Sequence, residues 1–377
     1  MSGFDFATAP RIVSEDGAAL RLAPLLAGLG VRRPLIVTDA GLVAAGLVAP
    51  VVEALVAGGL TAVIHDGVRA DPPEADLRAA VEVARGAGAD GVIGLGGGSS
   101  LDVAKLAALL LGRDQPLSAI YGVGLAQGPR VPLIQIPTTA GTGSEVTPVA
   151  ILTTPDHQKA GVSSPLLLPD VAVLDATLTL GLPSAITAMT GVDAMIHAIE
   201  AFTSRRLKNP VSDSLAIAAL KLLDRAIRPV IQDGRDLEAR RAMLQGSMLA
   251  GMAFANAPVA AAHALAYPIG GLFHQPHGLT TSLMLTPVMG FNAPACGDQY
   301  AELSATLGGA ATASAFIDRM AAIIADMPMA QRLSDVGVAG TDLDRMAADA
   351  LKVQRLLINN PREVTVDDAR TLYAQAL

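Results

Sequence analysis

Short apolar runs alternate with helically spaced segments through the first half of this chain. Runs at 33–38, 60–65, 90–95, 131–137 and 171–174 predict strands, and the spacing over 73–86 and 100–111 predicts helices. Strands that are apolar throughout and separated by helices predict a mostly parallel sheet covered on both faces. The pattern changes near Leu182-Pro183-Ser184. Ser184 is a suitable N-cap, and from there to Leu377 the spacing is helical with no strand signal. The expected organisation is an α/β domain over residues 1–182 and an all-helical domain over 183–377. No internal repeat or low-complexity tract interrupts it.

One stretch imitates a membrane span. Residues 247–273 are almost uncharged, but Asn256, Pro258, His263, Pro268, Gly270 and Gly271 break them up. Buried helices with small residues for close packing are the expectation instead, and no membrane association. Of the 377 residues, 51% are hydrophobic, enough for a large core, and a length of this order favours two domains. The net charge is −8 with no basic run, which disfavours nucleic acid as a partner. The single cysteine, Cys296, leaves no internal disulfide framework and suits a reducing cytoplasm. Residues 1–10 lack the charged and apolar regions of a secretory signal.

The helical half carries the strongest chemical signal. Asp193 and His197 are four residues apart, on one helical face. His263 and His277 follow in Gly-, Ala- and Pro-rich segments. One carboxylate and three imidazoles form a suitable shell for Fe(II) or Zn(II) if they converge. In the α/β half, Leu95-Gly96-Gly97-Gly98-Ser99-Ser100 follows a strand and opens a helix. Such a loop lets backbone N–H groups approach a pyrophosphate at a positive helix end, although an ordinary glycine turn reads the same way. It departs from the common Gly-x-Gly-x-x-Gly fingerprint, because the loop comes late and the candidate acid, Asp39, comes earlier. Asp39 follows the strand ending at Thr38. It fits either a bidentate partner of an adenosine ribose or a helix cap. A second loop, Pro137 to Thr147, sets Thr138, Thr139 and Thr142 among glycines after another strand. It reads as a phosphate or carboxamide binder or as a polar turn.

Taken together, GGGSSLDVAK (96–105), PTTAGTGSE (137–145), GVDAMIHAIEA (191–201), His263 and Pro276-His277-Gly278 resemble the iron-containing, group III alcohol dehydrogenases over essentially the whole chain. The resemblance implies a dinucleotide-binding α/β domain, a helical domain and a metal in the cleft between them. It implies Asp193, His197, His263 and His277 as metal ligands, and Gly96, Gly97, Gly98 and Ser99 around the pyrophosphate. Thr138, Thr139 and Thr142 would lie near the cofactor, and Lys159 resembles the family lysine that reaches the ribose. The implied cofactors are NAD and a divalent metal, Fe(II) first and Zn(II) second. The implied chemistry is Lewis-acid activation of an alcohol followed by hydride transfer to nicotinamide. The implied substrate is a small alcohol, aldehyde or hydroxy acid, and the implied assembly a homodimer or larger homo-oligomer.

One departure matters. Tyr267 stands where many members carry a second histidine, and a phenol is a poorer proton shuttle at neutral pH than an imidazole. Tyr267 therefore reads as a pocket-shaping residue or a catalytic one, and His274 as a candidate proton carrier in the same cleft. His65 and His157 read as structural or surface residues. Phe254, Val149 and Phe273 are candidate pocket residues, and no arginine cluster announces a phosphate or dicarboxylate substrate. The alternatives are a hydroxyacid–oxoacid transhydrogenase, a maleylacetate-reductase-like enzyme without metal, and a non-catalytic nucleotide-binding protein.

Overall fold

The structure is a computed structural model describing residues 3–156 and 158–377, so His157 lies outside the described residues. Two compact units are present, one spanning Ala7–Gly181 and the other containing Leu182–Leu377.

The first unit is α/β. Its strands are β1 (Ile12–Ser14), β2 (Pro34–Val37), β3 (Val63–His65), β4 (Gly91–Gly96), β5 (Gly122–Val123), β6 (Leu133–Pro137), β7 (Val149–Thr153), β8 (Lys159–Ser163) and β9 (Val171–Leu174). Six of them form one all-parallel sheet in the order β1-β9-β6-β4-β2-β3. Alternate residues serve opposite faces, as the pleat requires. Leu35, Val37, Val92 and Leu133 join one core cluster with Leu77, Val81 and Leu106. Ile36, Ile93, Leu95 and Ile134 join another with Leu26, Val51 and Leu55. This double burial is why β2, β4 and β9 read as continuous apolar runs and β6 as one broken only by Gln135. The chain leaves β2 toward β3 on one side and resumes with β4 on the other. The ends of β2 and β4 therefore flank a point where the strand order reverses, and ligands of open α/β sheets bind at such points. Asp39 follows β2, and the glycine loop follows β4.

A second, three-stranded sheet (β5-β8-β7) goes beyond the sequence expectation. Its strands β7 and β8 pair antiparallel from Val149↔Ser163 to Thr153↔Lys159.

Beyond Leu182 the described residues form helices and no strand. The principal helices are Ser184–Thr203, Pro210–Gln232, Leu237–Asn256, Ala261–Phe273, His277–Thr306 and Ala313–Ala325. Ser184 is not the cap expected from sequence. The Pro183 carbonyl accepts the Thr187 N–H at 2.9 Å, so Pro183 takes the cap position and Ser184 is the first helical residue. From Gly191 to Thr203 every residue of this helix is buried, and Asn209 and Asp236 cap the next two helices through Ser212 N and Ala239 N. Among the described residues no single helix is long and apolar enough to cross a membrane. Leu237–Asn256 and Ala261–Phe273 reach that length only as a pair bent by 105°.

Candidate metal centre and nucleotide loops

The Ser184–Thr203 helix presents Asp193 and His197 one turn apart, with His197 Nε2 3.9 Å from Asp193 Oδ2. Ala261–Phe273 brings His263 Nε2 to 3.8 Å from Asp193 Oδ1. His277, the first residue of His277–Thr306, sets its Nε2 3.9 Å from the same oxygen. One ligand atom from each of the four residues lies within 4.8 Å of the others. Asp193, His197 and His263 are buried, while His277 is exposed. Phe254 stacks on His197 at 4.3 Å, covering one side. Gly278 lets the helix of His277 close on that of Asp193, because a Cβ there would stand 2.5 Å from the Met189 carbonyl oxygen.

Two residues that the sequence reading missed hold this group in place. Glu200, buried one further turn along the Asp193 helix, accepts from Ala260 N (2.8 Å), from Ala262 N (2.7 Å) and from His263 Nδ1 at 2.7 Å. That bond puts the ring proton on Nδ1 and leaves Nε2 as a lone-pair donor facing Asp193. Thr281 donates to Asp193 Oδ1 at 2.8 Å. Burial by itself would raise the Asp193 carboxyl. The facing His197, His277 and His263 and the Thr281 bond outweigh it and hold the group below the ordinary carboxylate range. His263 Nε2 is buried with no hydrogen-bond partner. An orphaned imidazole nitrogen in a ring of ligand atoms of this chemistry fits a divalent ion.

The other two residues near this centre behave differently. Tyr267 is half-buried, edge-on to His277 at 6.4 Å, and its hydroxyl accepts from Arg355 Nη2 at 2.9 Å. His274 is exposed at the C-terminal cap of Ala261–Phe273 with φ +53°, a left-handed conformation unusual for a residue with a side chain.

In the α/β unit the two candidate loops interlock. Gly96 has φ +157° and a Cβ there would meet Ser100, while a Cβ on Gly98 would lie 2.8 Å from Thr142 Cγ2. Gly97 caps the Gly98–Gly112 helix without any side-chain hydrogen bond, and Ser99 follows as its second residue. Thr138 N donates to Gly96 O at 3.0 Å, and Thr139 flanks Gly97. Asp39 is a helix cap, its Oδ1 accepting from Leu42 N at 3.1 Å. Lys159 pairs with Asp71 at 2.5 Å and donates to Thr153.

Beneath the loops lies a buried charge cluster that the sequence reading did not single out. Lys105 is fully buried and donates to Thr147 Oγ1 (3.1 Å) and Val149 O (2.7 Å), while Asp102 accepts from Ser144 Oγ and Ile151 N. Burial pushes the neighbouring Glu145 carboxyl up to about 7, against its own backbone hydrogen bond and the pull of Lys105. An unfolded glutamate titrates near about 4.3. Between these values the folded chain holds a proton that the unfolded chain has lost, so this group's contribution to stability falls as pH rises through that window. Glu145→Gln should therefore narrow the difference in Tm between pH 5 and pH 8. Scanning calorimetry at the two pH values checks it, and an unchanged difference would remove Glu145 as the source.

Comparison with known proteins follows this geometry along the chain. The family model described as "Iron-containing alcohol dehydrogenase" matches residues 9–176. The one described as "Fe-containing alcohol dehydrogenase family, C-terminal" matches residues 187–377. The chain belongs to the iron-containing alcohol dehydrogenase family. It is 38% identical over 370 residues to long-chain-alcohol dehydrogenase 1 of Geobacillus thermodenitrificans, covering 96% of this chain and 93% of that one. An alcohol dehydrogenase structure from Oenococcus oeni superposes with a TM-score of 0.96 at 32% identity, over 100% of both chains. Sulfoacetaldehyde reductase from Bifidobacterium kashiwanohense, solved with NAD+, gives a TM-score of 0.92 at 29% identity, over 100% of this chain and 99% of that one. Family membership makes this protein an oxidoreductase of the alcohol dehydrogenase class that uses NAD and a divalent metal, with a small-molecule alcohol as its kind of substrate.

Proposed function

We propose that this enzyme interconverts a small alcohol or short hydroxy acid with its carbonyl form, using Asp193, His197, His263 and His277 to hold the ion. The observation that carries this reading is the convergence of those four ligand atoms within 4.8 Å, on three separate helices. Fe(II) is the first ion proposed and Zn(II) the second, since both accept imidazole and carboxylate. Such an ion supplies Lewis-acid activation of the alcohol oxygen, and NAD supplies the hydride acceptor. The remaining work falls to the chain itself. Glu200 and Thr281 orient His263 and Asp193, and Phe254 keeps water from one side of His197. The uncapped helix start at Gly96, Gly97, Gly98 and Ser99 receives the pyrophosphate, with Thr138, Thr139 and Thr142 beside the cofactor. Asp39 and Lys159 are assigned to its ribose hydroxyls. The exposed His274 imidazole is assigned to carrying the alcohol proton away, and Tyr267 to shaping the pocket. The assembly proposed is a homodimer or larger homo-oligomer in the cytoplasm, a compartment that suits the free, buried Cys296. A panel of alcohols and hydroxy acids with NAD on Fe(II)- or Zn(II)-reconstituted protein tests the reading. NADH formation with at least one member is expected, and none with any member would count against it.

Cofactor choice should follow Asp39. Its carboxylate repels a 2′-phosphate and pairs with ribose hydroxyls, so the wild type should prefer NAD. Asp39→Gly should improve the kcat/KM for NADP relative to NAD with little loss of fold, because glycine is tolerated at an N-cap at a cost of only a few tenths of a kcal/mol. An unchanged ratio would place the ribose elsewhere.

Tyr267→Phe separates pocket shaping from proton relay. The substitution should be near-neutral for kcat at the optimum pH with neutral alcohols. A loss of roughly 10²-fold with a changed pH profile, at unchanged metal content, would make the phenol a general acid–base group instead.

A further inference from the structure

Several arginines of the helical unit are neutralised by an acidic partner, and Arg355 is held instead by a side-chain hydroxyl. Arg228, Arg319, Arg345 and Arg370 each pair with an aspartate. Arg355 is exposed, and among the described residues no carboxylate pairs with it. Its anchor is a neutral one. Nη2 donates to the Tyr267 hydroxyl at 2.9 Å, and Cζ lies 5.8 Å from the Tyr267 ring centre. Tyr267 meets His277 edge-on at 6.4 Å, and His277 is the one exposed member of the four-residue cluster. A fixed positive charge therefore stands two ring contacts from the open side of the candidate metal centre.

The phenol oxygen fixes the guanidinium without neutralising it. It occupies one N–H and leaves a planar fork of further donors, the geometry that suits a two-oxygen anion. A cation held this way raises the local concentration of anions and favours them over neutral molecules of the same shape. The pair is specific to the folded chain, since 88 residues separate its members.

We propose that Arg355, positioned by Tyr267, binds an anionic tail on the substrate, a carboxylate or sulfonate at the end of a short ω-hydroxy acid opposite the reacting carbinol. This inference rests on the dehydrogenase reading above and names the substrate class of the same site. Tyr267 then acts as a specificity device through Arg355.

The test uses 4-hydroxybutanoate, 3-hydroxypropane-1-sulfonate and the neutral isostere 4-hydroxybutanamide. Each is assayed with NAD on metal-reconstituted enzyme, and each is titrated calorimetrically into the enzyme–NADH complex, where no turnover occurs. The wild type should favour at least one acid over the amide in both kcat/KM and Kd, and the two acids tell carboxylate from sulfonate. Arg355→Gln should lower the acid-to-amide ratio by roughly 10- to 100-fold in both measurements, the range for losing a charge-assisted hydrogen bond. Arg355→Lys should restore part of it, because it keeps the charge without the fork. Tyr267→Phe should lower the same ratio several-fold by releasing the guanidinium. A wild type that turns over the amide as well as both acids would overturn the proposal and leave the dehydrogenase reading standing, as would an equal loss for acid and amide in Arg355→Gln. A wild type that oxidises no alcohol at all would overturn the dehydrogenase reading, and this proposal with it.

Discussion

Alanine at position 263 should strip the metal from this enzyme and nearly abolish turnover. His263 offers a buried Nε2 with no hydrogen-bond partner to the cluster, and Glu200 holds the ring by its other nitrogen. Alanine removes the lone pair and leaves the Glu200 carboxylate with only its two backbone donors, Ala260 N and Ala262 N. Metal polarisation of the reacting oxygen is worth several kcal/mol, so kcat/KM should fall roughly 10³-fold. NADH binding should stay within a few-fold of wild type, because both glycine-rich loops belong to the α/β unit. Elemental analysis, steady-state kinetics and NADH titration on one preparation check all three quantities. Stoichiometric metal together with a wild-type rate in the variant would take His263 out of the ion site.

A single methyl group at position 278 should loosen the same ligand shell and destabilise the helical unit. The Cβ of Gly278→Ala would stand 2.5 Å from the Met189 carbonyl oxygen and 2.8 Å from its carbon. Both are backbone atoms of the Ser184–Thr203 helix and cannot rotate away. The helices must move apart, carrying His277 from Asp193. Overpacking of this kind costs about 1–3 kcal/mol. For a unit of this size that corresponds to a Tm lower by roughly 2–10 °C. Metal affinity should fall as well, by about 10-fold or more, since ligand atoms must be held to within a fraction of an ångström. A variant with wild-type Tm and metal affinity would show that the contact relaxes freely.

The parts of this molecule that were legible in its sequence are those governed by local periodicity. Strands β2, β4, β6 and β9 are buried on both faces, so every residue but Gln135 is apolar and the parallel sheet shows directly; Gln135 is accommodated in β6 by donating to the Leu101 carbonyl. Asp193 and His197 could be matched because one helix carries both. Glu200 lay within reach of the same logic, seven residues from Asp193, yet a carboxylate reads as a surface residue until its backbone partners at Ala260 and Ala262 are known. The three-stranded sheet was not legible. Strand β5 is two residues long, β8 contains Gly161, and β7 is only half-buried. Ser184 misled because serine is a good cap, although Pro183 supplies the accepting carbonyl one residue earlier. The Arg355–Tyr267 pair and the buried Lys105 depend on contacts between distant segments, which periodicity does not encode.

Metal titration decides whether turnover depends on an ion held by Asp193, His197, His263 and His277. Chelator-treated protein with NAD and an alcohol from the active panel should form no NADH. Adding Fe(II) anaerobically, or Zn(II), should restore the rate in proportion to bound metal and saturate at one ion per chain. Full turnover by the metal-free protein, or saturation unrelated to that stoichiometry, would contradict the account.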